Sequence, residues 1–311
     1  MTPPNPPFTT EIRRYGKAAI VEAARLIEAG LPVAVPTETV YGLAADASNG
    51  GAVARIYEAK GRPSFNPLIV HVLSLDDAER LARFDDVARS LAQRFWPGPL
   101  TLVLPIQQGG AVASLVTAGL PTVAIRSPAH PAMRDLLEAV GRPLAAPSAN
   151  SSGRISPTRA EHVAASLGGR IPLVIDGGPT AHGLESTIVA VAEGELRLLR
   201  PGPIADLGVP FTGAGSGTIE APGQLASHYA PLKPLRLDAT EARPGEWLIG
   251  FGDISGDASL SPSGNPVEAA ATLFDRLHEA EAADRAAIAI APVPNEGLGI
   301  AINDRLRRAA A

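Results

Sequence analysis

Cysteine is absent from the 311-residue sequence, which excludes a disulfide, a thiolate nucleophile, a Cys-ligated zinc and a Cys-ligated iron–sulfur cluster. Aromatic residues are scarce at 4%, so the core must be built mainly from Ala, Val, Leu and Ile, a composition that suits buried strands covered by Ala-rich helices. No apolar run approaches the ~20 residues needed to cross a bilayer. The opening stretch Met1 to Pro7 is proline-rich and has no basic segment followed by an apolar one, so it does not read as a signal peptide. A soluble cytoplasmic protein with no membrane partner is the simplest expectation. The familiar catalytic signatures are missing as well: there is no G-x-x-x-x-G-K-[ST], no H-E-x-x-H and no G-x-S-x-G, and none of the six histidines pairs at metal-ligand spacing.

Net charge is −5, from 27 Lys and Arg against 32 Asp and Glu, which argues against a protein held on nucleic acid by bulk electrostatics. The charge is uneven. From Gly51 to Ala160, twelve Lys and Arg stand against eight Asp and Glu, and the remainder is acidic. A local anion site is one reading of this asymmetry, and arginines solvating helix faces are the other.

Hydrophobic residues at 45% and charged residues at 19% describe an ordinary globular chain. Short apolar runs at 32–36, 67–73, 100–104, 122–126, 143–146, 172–175, 186–191 and 196–199 predict strands. Amphipathic stretches at 18–29, 52–59, 87–94, 131–140 and 159–167 predict helices between them. The later strands follow one another with little helix between, so the fold class is α/β with a twisted mixed sheet. Residues 209–232 turn to Gly, Ser, Pro and Ala without periodicity and predict a linker. A strand at 246–250, a helix at 266–282, a strand at 286–291 and a helix at 296–310 follow. The expected organisation is therefore a domain over 1–208, a linker over 209–232 and a small βαβα, Rossmann-like domain over 233–311, packed on the first.

Four polar clusters sit at strand ends, where open α/β sheets place ligands. Pro36-Thr-Glu-Thr-Val-Tyr-Gly42 offers hydroxyls, a carboxylate and a phenol, or it is a hydroxyl-rich turn with Gly42 at positive φ. Lys60-Gly-Arg-Pro63 with Asn66 suits the oxygens of a triphosphate, or it closes a helix with Gly61 as a left-handed cap. Pro147-Ser-Ala-Asn150 runs on to Ser156-Pro-Thr158; its small hydroxyls permit close approach to phosphate, although Ser156 also reads as a helix N-cap. Glu185-Ser186-Thr187 and Arg200-Pro-Gly202 form the fourth cluster, and Arg126, ending its own strand, joins them as a candidate carboxylate clamp.

In this order and spacing the clusters, together with Asn66–Val72, Trp96-Pro-Gly-Pro-Leu-Thr101, Ala145–Asn150 and Asp176-Gly-Gly178, resemble the YrdC-like threonylcarbamoyl-adenylate synthases over about Ala18 to Pro203. The segment Ala221 to Pro231, with Pro222-Gly223 and His228-Tyr-Ala-Pro231, is similar to the element that marks the longer, two-domain members. The resemblance implies a twisted sheet with a large concave face, and a reaction joining L-threonine, bicarbonate and ATP into threonylcarbamoyl-AMP for tRNA modification. By motif position it implies threonine contacts from Thr39, His71, Arg126, Ala146 and Ser186. It likewise implies ATP contacts from Arg62, Asn66, Thr122, Ser148, Ser156, Arg200 and Tyr229, with Lys60 and Arg62 stabilising phosphate charge. Magnesium is expected to arrive on the ATP phosphates with no dedicated protein site. The implied partners are the downstream threonylcarbamoyl transferases, with weak tRNA binding left open, and Tyr229 is implied to be a lid residue. Leu225-Ala-Ser227 departs from the basic pattern expected before His228, and Ala221 replaces a common serine. Two other readings compete. A carbamoyl-transfer enzyme would need zinc-finger cysteines that are absent, and an RNA-binding or ribosome-assembly factor would use the concave basic face.

Overall fold

A computed structural model describes residues 7–192, 194–208, 213–214, 220–224 and 227–311. Residues 1–6, part of the predicted linker and two of the three residues in Leu225-Ala-Ser227 lie outside the described residues.

The first half of the chain runs β1 (Glu11–Arg14), α1 (Lys17–Glu28), β2 (Val33–Pro36), β3 (Tyr41–Asp46), α2 (Gly50–Lys60), β4 (Ile69–His71), α3 (Leu75–Glu79), α4 (Asp86–Phe95) and β5 (Leu100–Pro105). It continues through α5 (Ser114–Thr117), β6 (Thr122–Arg126), α6 (Pro131–Val140), β7 (Leu144–Ala145), α7 (Ala160–Leu167), β8 (Leu173–Asp176), β9 (Thr187–Ala192), β10 (Glu195–Arg200) and β11 (Gly213–Ala214). These strands make one sheet in the order β1-β8-β2-β3-β7-β4-β6-β5-β9-β10-β11. Parallel pairs such as β4 with β6 alternate with antiparallel ones such as β5 with β6, as the uneven spacing of strands and helices predicted. Strands covered on both faces, such as β2 and β3, are buried throughout.

The last segment forms β12 (Leu235–Arg236), β13 (Glu246–Gly250), β14 (Ala258–Ser259), α8 (Pro266–Ala282), β15 (Ala287–Ile290) and α9 (Gly299–Ala309). Its parallel sheet has the order β12-β15-β13-β14. A unit of this size is only marginally stable by itself. Its core accordingly runs into the larger unit: Val40, Ile155, Leu184 and Tyr229 pack in one buried cluster with Ile249, Leu273, Phe274 and Leu277. Arg159 adds a fork of hydrogen bonds to Asp275 at 2.6 and 3.1 Å, and His162 stacks on His278 with ring centroids 3.8 Å apart.

Three local expectations are corrected. Gly42 is not a positive-φ turn residue; it lies in β3, where a Cβ would stand 3.3 Å from that of Ala146. Ser156 caps no helix, because α7 starts after Arg159 and the Ser156 hydroxyl is turned to the Glu185 carboxylate. Gly213-Ala214, read as linker, pairs as a short parallel strand along β10. The Gly61 reading holds: its φ of 60° and ψ of 37° close α2 in the left-handed conformation.

Candidate active site

Register brings the site together. β4 and β6 pair so that His71 stands opposite Arg126 at their carboxyl ends, and β9 and β10 pair so that Arg200 stands opposite Ile188. Gly42 bridges Ser148, which lays the loop after β7 across the end of β3. A pocket opens there, lined among others by Thr37, Thr39, Arg62, His71, Arg126, Ala146, Ser148, Glu185, Ser186, Arg200, His228 and Tyr229.

One end of the pocket is electrically balanced. Arg126, 3% exposed, donates to Glu38 Oε1 at 2.5 Å, to Thr39 Oγ1 at 2.9 Å and to the Gly98 carbonyl at 3.1 Å. Glu38 also accepts from the Ala129 amide at 3.1 Å. Burial pushes the Glu38 carboxyl up, but the Arg126 charge and these hydrogen bonds outweigh it and leave it below its usual range. Since a guanidinium has more N–H donors than these bonds use, Arg126 can still receive a ligand carboxylate. His71 beside it is neutral: burial first, then the Arg126 charge, push it down to about 3. Its Nδ1 is buried without a hydrogen-bond partner.

The other end carries uncompensated positive charge. Arg62 donates to the carbonyls of Asn66 and Pro67 at 3.2 and 2.9 Å, and Arg200 to the carbonyl and hydroxyl of Ser186 at 2.9 and 3.1 Å. Lys60 donates to the Ser148 carbonyl at 2.6 Å from behind the pocket wall. Among the described residues none of these three has a carboxylate within salt-bridge distance. Burial lowers all three, Arg62 to about 10 and Lys60 well below its ordinary value. The same cations, after burial, keep His228 neutral. Buried charges without counterions are costly, and the arrangement makes physical sense as a receptor for an anion.

The structure gathers most of the expected residues but not all. Thr39, Arg62, His71, Arg126, Ala146, Ser148, Ser186, Arg200 and Tyr229 line the pocket; Lys60, Asn66, Thr122 and Ser156 do not. Thr122 begins β6, on the same strand face as Arg126 but roughly 13 Å away at ~3.3 Å per residue. The apolar patch of Ile69, Val103, Ala124 and Ile188 lies along that face. Asn66 is fully buried with both amide atoms unpartnered, facing no protein group that satisfies them. Tyr229 is fully buried at φ 65°, its ring 5.6 Å from Phe274, and its hydroxyl has no hydrogen-bond partner. Sequence reasoning passed over Glu38 and Glu185 as individual groups, although both stood inside recognised clusters, and it missed Arg305 altogether.

Two family models together match residues 25–311. One, described as telomere recombination and built on Sua5, YciO and YrdC proteins, matches residues 25–202, and the other, described as the threonylcarbamoyl-AMP synthase C-terminal domain, matches residues 195–311. The chain belongs to the Sua5, YciO and YrdC family. Within that family it is 40% identical to a threonylcarbamoyl-AMP synthase of Pyrococcus abyssi, over 93% of each chain. It is 42% identical to that of Bacillus subtilis, over 94% of this chain and 92% of the relative. The crystal structure of P. abyssi Sua5 complexed with L-threonine superposes with a TM-score of 0.88 at 38% identity, covering 97% of both chains. Escherichia coli YciO, at 21% identity and a TM-score of 0.55, shares the fold of the larger unit.

Proposed function

We propose that the protein is an L-threonylcarbamoyladenylate synthase, a nucleotidyltransferase that converts L-threonine, bicarbonate and ATP into threonylcarbamoyl-AMP and diphosphate, the first step toward threonylcarbamoyladenosine in tRNA. The observation that carries this reading is a single pocket with a balanced Arg126–Glu38 end beside an Arg62–Arg200 end without a carboxylate partner among the described residues, in a chain alike over 93–94% of its length to synthases of that name.

The chemistry asks for little beyond such a pocket. The threonine amine takes up carbon dioxide from bicarbonate, an oxygen of the resulting N-carboxylate attacks the α-phosphorus, and pyrophosphate leaves. Two anions must be held in line, which is a matter of positioning and preorganised charge. Arg126 receives the threonine carboxylate, with Thr39, His71, Ala146 and Ser186 closing around the rest. Arg62, Ser148 and Arg200 face the phosphates, and Tyr229 closes over them as a lid residue. Asn66 offers its unpartnered amide. Lys60 acts from behind Ser148, and Ser156 holds one oxygen of Glu185 turned away from the phosphates. Thr122 meets the nucleoside at the far end of the apolar row. Magnesium enters with ATP as part of the substrate. The product then passes to threonylcarbamoyl transferases that act on tRNA.

Burial of the key cations speaks against an RNA-binding surface, since Arg62, Arg126 and Arg200 are each at most 8% exposed. Among the described residues no helix is long and apolar enough to cross a membrane; a cytoplasmic site of action is part of the proposal. The test is mass spectrometry of a reaction with carbon-13 bicarbonate, L-threonine and Mg-ATP. Labelled threonylcarbamoyl-AMP is expected; AMP or ADP alone, with no labelled adduct, overturns the reading.

A further inference from the structure

Arg305 is the largest fully buried side chain described, and it comes from α9, 120 residues after the group it binds. Its Nε donates to Glu185 Oε2 at 2.8 Å and its Nη1 to the Pro201 carbonyl at 2.9 Å and to Asp304 at 2.8 Å. The guanidinium carbon stands 5.3 Å from the centre of the Tyr229 ring. Glu185 lines the pocket, and its other oxygen accepts from Ser156.

Glu185 is the awkward member of this pocket. It is 6% exposed and adjoins Ser186, whose carbonyl and hydroxyl hold Arg200. A carboxylate there is a ready counterion for the cations that face the ligand. Were it to turn to Arg200, it would neutralise the end of the pocket that an incoming phosphate needs. In the structure it does not, because both oxygens are occupied, one by Ser156 and the other by a guanidinium from the opposite end of the chain.

We propose that Arg305 is a positioning residue that sequesters the Glu185 carboxylate, so that Arg200 and Arg62 stay uncompensated and free for the phosphates of ATP. The second sheet thereby contributes to nucleotide affinity without touching the nucleotide. The proposal rests on the synthase reading for its ligand. Charge balance makes it specific: a buried carboxylate that loses its partner seeks another, and Arg200 is near enough to feel the field of this one. The charged pair of the threonine end, Arg126 with Glu38, bonds neither Glu185 nor Arg305, so threonine affinity should change far less than ATP affinity even though Ser186 adjoins Glu185.

The experiment measures ATP and L-threonine affinity separately by calorimetry for the full chain, Arg305→Met, Arg305→Lys and the double variant Arg305→Met with Glu185→Gln. Arg305→Met is expected to weaken ATP binding by roughly ten-fold or more, with threonine binding within about two-fold. Arg305→Lys should recover part of the loss. The double variant, which has no carboxylate left to misplace, should return to within a few-fold of wild type. If Arg305→Met fails to fold, the double and lysine variants decide: poor ATP binding by a folded double variant overturns the proposal. Equal loss of both ligands in Arg305→Met, or no loss of either, also overturns it, because a merely structural contact would produce one or the other. A wild-type chain that binds no ATP removes the synthase reading, and the proposal with it; wild-type binding with an unaffected Arg305→Met removes the proposal alone.

Discussion

Replacing Arg62 by methionine should separate activity from stability. The side chain is 8% exposed and has no carboxylate partner among the described residues, and burial pushes it from 12.5 to about 10. At ~1.4 kcal/mol per unit, holding its charge in place opposes folding by roughly 3 kcal/mol. Against that, methionine gives up the two charge-assisted hydrogen bonds to the Asn66 and Pro67 carbonyls, about 1.5–3 kcal/mol each. The two effects oppose each other, so the net loss in stability should stay within ~3 kcal/mol, several degrees in Tm at most. Catalysis has no such compensation. Two charge-assisted hydrogen bonds to the departing pyrophosphate at ~1.5–3 kcal/mol each amount to about 3–6 kcal/mol, or roughly 10²–10⁴ in kcat/KM. The assay is threonine-dependent pyrophosphate release alongside thermal unfolding. A kcat/KM within a few-fold of wild type, or a collapse in Tm that parallels the loss of activity, would refute the argument.

Other consequences follow from the same geometry. Tyr229→Ala removes a fully buried ring held at positive φ against Phe274 and should raise the ATP consumed per adenylate formed; an unchanged ratio together with unchanged ATP affinity would make the segment a passive tether. Gly202→Ala places a Cβ 2.4 Å from the Thr187 amide nitrogen and 2.7 Å from the Ser186 carbonyl carbon, so backbone must shift; a weaker threonine KM and a Tm lowered by several degrees are expected, and wild-type values for both would contradict the packing. Stacked His162 and His278 are each pushed down to about 4, chiefly by burial, against 6.5 in the unfolded chain. The folded form therefore binds fewer protons, so stability should be level above pH 6.5 and fall as pH drops from 6.5 toward 4. His162→Gln with His278→Gln should flatten that slope, leaving the part due to other buried histidines; an unchanged slope would show that the pair is not its source.

Much of the fold could be read because the apolar runs were compact: β6 and α6 coincide with their predicted spans, and α8 does too. β3 escaped because Tyr41-Gly-Leu-Ala-Ala-Asp46 has little β-propensity and no alternation, being buried on both faces. β1 escaped because Glu11-Ile-Arg-Arg14 is a charged edge strand. At the site, the motifs pointed to residues that share one pocket: Thr39, Arg126, Ser186 and Arg200 reach it from strand ends, and Arg62 from the turn that closes α2. Pairings across long sequence separations were beyond reach: nothing near Glu185 announces Arg305, and nothing near Arg126 says that Glu38 is its partner rather than a free ligand group. Ser156 shows the converse error, a hydroxyl whose local pattern matched a helix cap while its true partner lay 29 residues on.

The most direct test of the central claim is pyrophosphate release by the purified protein with Mg-ATP, comparing L-threonine with serine and with no amino acid, each with and without bicarbonate. The account predicts release that requires both L-threonine and bicarbonate, with serine well below threonine. Release indifferent to amino acid and bicarbonate, or none at all, would contradict it.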